Sequence, residues 1–122
     1  MTDMIDTSSP SPLIFASRVN GTAVFSGAGE RVGHIEDIAI GKSTGQVAYA
    51  VLAVGGFLGA GERRYPVPWR MLTFDPTRNG YVADLDKAVL RQAPSYEKAD
   101  LADDGGTEER QRTWAAHWGP FI

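Results

Sequence analysis

Residues 46–54, QVAYAVLAV, constrain the fold more than any other stretch of this chain. Side chains alternate between the two faces of an extended strand, and here both alternating sets are apolar. Val47, Tyr49, Val51 and Ala53 form one set, and Ala48, Ala50, Leu52 and Val54 the other. A strand of this kind is covered on both sides, so something other than its own sheet must lie over each face. It is too short to cross a bilayer: even extended to Leu58 the apolar run is interrupted by Gly55 and Gly56.

The flanking segments repeat the pattern of short apolar runs and turn residues, which predicts a mostly β domain within 122 residues. Residues 22–25 read as a strand and Ser26-Gly27-Ala28-Gly29 as the turn after it. Residues 32–40 form a second strand whose apolar positions change parity, since Ile35 and Ile38 fall on opposite sets. One extra residue near Glu36-Asp37, a β-bulge, brings them to the same face. Gly41 to Gly45 closes a hairpin, with Gly45 supplying a positive φ. Residues 64–67 are extended because Pro66 and Pro68 disfavour helix before them, and a short helical turn follows over 69–72. Residues 73–75 and 81–83 make a second hairpin. Asp86 is placed to cap a helix over 87–92, with Val89 and Leu90 turned inward and Pro94 beyond its end. Thr107 caps a last helix reaching Trp118, with Glu108 and Arg112 spaced i,i+4 and Trp114 and Trp118 on one face.

Composition narrows the chemistry more than the function. With no cysteine, disulfides, thiolate catalysis and cysteine-bound metals are excluded. Residues 1–12 carry two acids and no base, have no apolar signal core, and read as an arm; a cytoplasmic location is the default expectation. The formal net charge of -3 is unevenly placed. Residues 1–12 hold -2, residues 13–96 hold +2 and residues 97–122, an acidic linker and short helix, hold -3. Gly27-Ala28-Gly29 with Gly33 misses the dinucleotide fingerprint, and residues 55–61 lack the Lys-Ser/Thr of a phosphate loop. His34 and Glu36 are two apart on a strand with no third metal ligand identifiable, Asp37 fits backbone satisfaction at a bulge, and His117 is open in role. No catalytic residue, metal or cofactor is assigned, and no small-molecule substrate is identifiable.

The ordered segments Gly33-His34-Ile35-Glu36-Asp37-Ile38, residues 44–52, the glycine-rich residues 55–61 and Val67-Pro68-Trp69 together resemble the PRC-barrel family. Gly80-Tyr81 and Ala93-Pro94-Ser95-Tyr96 are similar to the end of its stand-alone bacterial members. The resemblance covers residues 13–96 and implies an all-β, small, strongly bent barrel, here with short helical turns and a C-terminal helical tail. It implies structural roles for Gly33, Asp37, Gly45, Tyr49, Gly55, Gly56, Gly59, Gly61, Pro68 and Trp69. The same fold occurs in the cytoplasmic domain of the photosynthetic reaction centre H subunit and in the ribosome maturation factor RimM, where it is a docking module. This chain carries neither the membrane helix of the first nor the extra N-terminal domain of the second.

The resemblance therefore implies a non-enzymatic adaptor of a bacterial cell, able to bind another protein or a second copy of itself. Phe57 and Leu58, at the tip of the glycine-rich loop, either fold onto the barrel or anchor a partner. Trp114, Trp118 and Phe121 either pack on the chain's own barrel or dock elsewhere. Arg63, Arg64 and Arg70 either form a solvated edge that discourages strand pairing or a basic patch for weak RNA contact. Two alternatives remain open: a ribosome-assembly factor resembling RimM, and an accessory protein of photosynthetic membrane complexes.

Overall fold

A computed structural model describes residues 11–55, 61–85, 87–96 and 107–119. The elements are α1 (Ala16–Val19), β1 (Ala23–Ser26), β2 (Arg31–Ile40), β3 (Val47–Val54), β4 (Arg63–Pro68), a 3-10 turn (Trp69–Met71), β5 (Leu72–Asp75), β6 (Gly80–Ala83), α2 (Lys87–Arg91) and α3 (Glu108–Trp118). Six strands form one curled, half-barrel sheet in the order β4-β3-β2-β1-β6-β5. The first four run as an antiparallel meander, and the β5–β6 hairpin joins through a parallel pairing of β6 with β1. The expected bent barrel is thus half closed: among the described residues its end strands β4 and β5 do not pair. The 3-10 turn leads straight from one to the other, and Trp69 on it packs against the core.

The anticipated bulge is present. Ile35 pairs with Leu52 and Asp37 with Val51, leaving Glu36 as the extra residue. Ile35, fully buried, and Ile38 then both face the main core, which also holds Val24, Leu52, Val67 and Tyr81. Asp37 Oδ1 accepts the Ile38 N–H at 2.9 Å, satisfying a donor displaced from the ladder. Gly45 has φ +72° in the hairpin loop. A Cβ on Gly33 would collide with the carbonyl oxygen of Ala53 on the neighbouring strand, so only glycine allows that approach. Gly55 and Gly61, which flank residues outside the described set, have no positive φ and no atom within 4 Å of where a Cβ would sit among the described residues.

β3 is covered on both faces, as its composition requires. Ala50 and Leu52 enter the main core, while Ala48 and Tyr49 meet Trp114 of α3 in a second cluster. Helix α3 begins as predicted: the Thr107 hydroxyl accepts the Arg110 N–H at 3.2 Å, and Arg112 pairs with Glu108 at 3.4 Å on the exposed face. In α2, Leu90 is buried but Val89 is 43% exposed. Val89 was expected inside; one residue turns a helix by roughly 100°, so adjacent positions cannot share one narrow buried face. Asp86 and the linker residues 97–106 lie outside the described residues, as does the arm up to residue 10.

β4 tolerates two prolines because of its orientation. The Arg64 N–H and C=O point away from β3 and exchange 2.8 Å bonds with Tyr96. Pro66 and Pro68 share that parity, so their missing N–H groups cost the β3–β4 ladder nothing.

Candidate functional site

On the β5–β6 side the sheet leaves an open groove of about 650 Å³. Its floor is aromatic. Tyr81 of β6 is nearly buried and lies edge-on to two rings, Trp69 of the 3-10 turn and Phe74 of β5, each with centroids 5.3 Å away. Burial pushes the Tyr81 phenol above its ordinary pKa, so it stays neutral. Leu72 and Pro76 continue the apolar lining, to which Ser11, Pro12, Leu13 and Ile14 also contribute. Beside it the chain exposes three successive apolar side chains: Leu13 at 83%, Ile14 at 45% and Phe15 at 79%. Such a run on a surface is wasteful unless it serves a purpose. Among the described residues Arg18, on the turn α1 that follows, is the single charged residue lining the groove, and it makes no ion pair with them.

The tip of the β5–β6 hairpin holds the rim. Asp75 Oδ1 accepts from the Thr77 N–H at 3.0 Å and from its hydroxyl at 2.6 Å, and Asp75 pairs with Arg78 at 3.6 Å. The Thr77 hydroxyl bond, helped by Arg78, holds the Asp75 carboxyl below the usual carboxylate range. Asn79 takes φ +51°, a conformation asparagine tolerates, and lines the groove beside Pro76. The surface so assembled offers apolar and aromatic area with one guanidinium, a combination suited to binding.

The residues singled out from sequence fall elsewhere. Phe57, Leu58, Gly56, Gly59 and Phe121 lie outside the described residues. Trp114 is fully buried, edge-on to Tyr49 at 5.1 Å and to Tyr96 at 5.5 Å. Trp118 is half-buried, bridges both clusters, and has the His117 ring edge-on at 4.6 Å. Of the two occupants weighed for this helix, the chain's own barrel holds it, so Trp114 is corrected from a partner contact to a core residue.

The basic patch is also corrected. Arg63 and Arg64 are neighbours on a strand and project to opposite faces. Arg63 donates to the Ser95 hydroxyl at 2.7 Å and its carbonyl at 3.2 Å. Arg64 is largely buried and binds both oxygens of Glu36, with Glu62 3.5 Å away. The Glu36 hydrogen bonds raise the Arg64 pKa further, keeping it charged. Arg70 donates to the carbonyl of Trp118 at 2.9 Å, at the end of α3. Arg64 is thus paired with carboxylates within the fold, while Arg63 and Arg70 are exposed and bond neutral oxygens. Glu36, the bulge residue, is taken up by Arg64 instead of standing beside His34. Among the described residues no group of three metal-ligating side chains occurs.

Sequence reasoning missed the groove because its parts are far apart in the chain. The available signal was local: Leu13-Ile14-Phe15 precedes a four-residue helical turn too short to bury it. Among the described residues no helix is long and apolar enough to cross a membrane. In comparison with known proteins, a family model described as the PRC-barrel domain matches residues 12–90. No curated protein matches the chain.

Proposed function

Because the chain belongs to the PRC-barrel family, we propose that it is a non-enzymatic protein-interaction module that docks its partner at the groove between residues 11–14 and the β5–β6 hairpin. One observation carries this reading: three consecutive apolar residues, Leu13, Ile14 and Phe15, stand exposed beside an aromatic groove to which the half-exposed Phe74 contributes. Aromatic side chains at the centre of such a surface supply most of a contact's free energy when a partner excludes water from them. Arg63 and Arg64 project to opposite faces and Arg64 is paired with Glu36, so these arginines do not form the single patch that an RNA-binding role would need.

The test is affinity capture from the native cell with three baits. The whole chain should retain a discrete set of proteins, and Leu13→Ser with Phe74→Ala should lose that set. Ile40→Ser, which alters an exposed apolar residue not lining the groove, should keep it. Equal capture by all three baits would place the docking surface elsewhere. Light scattering on the same proteins shows whether the captured partner is a second copy.

A further inference from the structure

We propose that the partner enters as an added strand: an extended peptide with one apolar face flanked by carboxylates pairs antiparallel with the outer edge of β5 and lays its apolar side chains in the groove. This rests on the groove being the docking surface and names the chemistry that fills it. The backbone of β5 is the first observation. The Leu72 N–H turns away from β6 and bonds the Trp69 carbonyl at the end of the 3-10 turn. Leu72 and Phe74 share one parity in the β5–β6 ladder, opposite Ala83 and Tyr81, so Thr73 and Asp75 make its hydrogen-bonded pairs. Phe74 therefore turns both its N–H and its C=O outward, and Leu72 its C=O. None of these three groups has a hydrogen-bond partner among the described residues, and no described strand flanks β5. The side chains are the second observation. Residues directly opposite each other in a strand pair share a face. Leu72 and Phe74 line the groove, so the peptide residues opposite them lie on the groove side. Arg18 lines the same groove and makes no ion pair with the described residues, which selects a carboxylate there.

The supply of donors separates this occupant from a second copy. A twofold pair of β5 strands has only the two Phe74 N–H groups to donate, because the Leu72 N–H is committed and Pro76 has none. Such a pair closes two bonds for two edges. A peptide brings its own donors: one residue exchanges both bonds with Phe74, and the N–H two residues further on meets the Leu72 carbonyl. One edge then closes three bonds with the sheet unaltered, which is recognition by strand addition.

The probe is a fluorescein-labelled peptide, Glu-Thr-Ile-Thr-Ile-Thr-Glu, titrated by anisotropy into the full chain. When extended, its isoleucines and glutamates share one face. It should bind. N-methylation of both isoleucines removes the N–H groups aimed at β5 and should weaken binding about thirtyfold for two lost bonds. N-methylation of the threonines, whose N–H groups face water, should leave binding unaltered. Replacing both glutamates with lysine should weaken it several-fold, and Arg18→Gln should remove that difference. The Phe74 amide should exchange with deuterium unprotected in the isolated chain, and about tenfold more slowly when nine-tenths of the chain is bound. No binding of the probe, equal weakening by the two methylation patterns, equal binding of the lysine peptide, or an unaltered Phe74 amide at saturation would overturn the proposal. So would a Phe74 amide that slows in the isolated chain as concentration and mass rise together, since a second copy would then hold the edge. In each of these cases loss of capture by Leu13→Ser with Phe74→Ala still decides the docking reading, so the two fail separately.

Discussion

The two ends of the sheet are built to opposite purposes. At β4, Pro66 and Pro68 turn proline nitrogens to the outer edge, Tyr96 takes both backbone groups of Arg64, and α3 lies against the neighbouring β3 with its Trp118 carbonyl held by Arg70. Charged side chains there end in defined ion pairs and hydrogen bonds. At β5 the edge strand has four residues, no proline and no basic residue, and it meets no further strand among the described residues. Rings and an apolar wall lie open beside it. Exposed strand edges invite pairing and are ordinarily blocked. The contrast within one small sheet teaches that edge protection was spent on β4, while the β5 side stayed accessible.

The largest break in that contrast comes from the closed side. Trp114→Ala removes the side chain that fixes α3 to Tyr49 and Tyr96, and should cost about 3–5 kcal/mol in chemical denaturation. Next, Arg64→Ala strands the Glu36 carboxylate at the bulge and should cost about 2–3 kcal/mol, with most of the loss shared in a double-mutant cycle with Glu36→Gln. On the open side, Phe74→Ala should cost only about 1–2 kcal/mol, because the ring is already 37% exposed, yet it should abolish partner capture. A loss as large as that of Trp114→Ala would mean that the ring belongs to the core.

The smallest effect is a titration at the hairpin tip. Asp75 is held below the usual carboxylate range chiefly by the Thr77 hydroxyl. A depressed folded pKa gives stability that is present above the unfolded value and lost as pH falls through the folded one. Thr77→Val should raise the Asp75 pKa towards the usual range in an NMR titration, so that its contribution is lost at a higher pH. Partner capture at neutral pH should be unaffected.

The fold was legible because its signals are local or periodic. The parity change at Ile35 and Ile38 marked the bulge, the apolar faces of β3 required two covers, and Thr107 with Glu108 and Arg112 announced α3. The groove was not legible to the same degree. Trp69, Phe74 and Tyr81 lie apart in the chain, and it is the packing of the half-barrel that sets them edge to edge with Phe74 partly exposed. The arginines show the same limit. Their proximity in the chain left a solvated edge and a basic patch both open; strand alternation separates Arg63 from Arg64, and Arg64 finds Glu36 across 28 positions of sequence.

The sequence by itself determined the strands, the bulge and the helix that carries the tryptophans, since each follows from the conformational preference or periodicity of neighbouring residues. Only the tertiary structure decided which tryptophan is core, which arginines are neutralised and which apolar residues remain in water. Those outcomes depend on what distant segments cover, and coverage is a property of packing that no local pattern encodes.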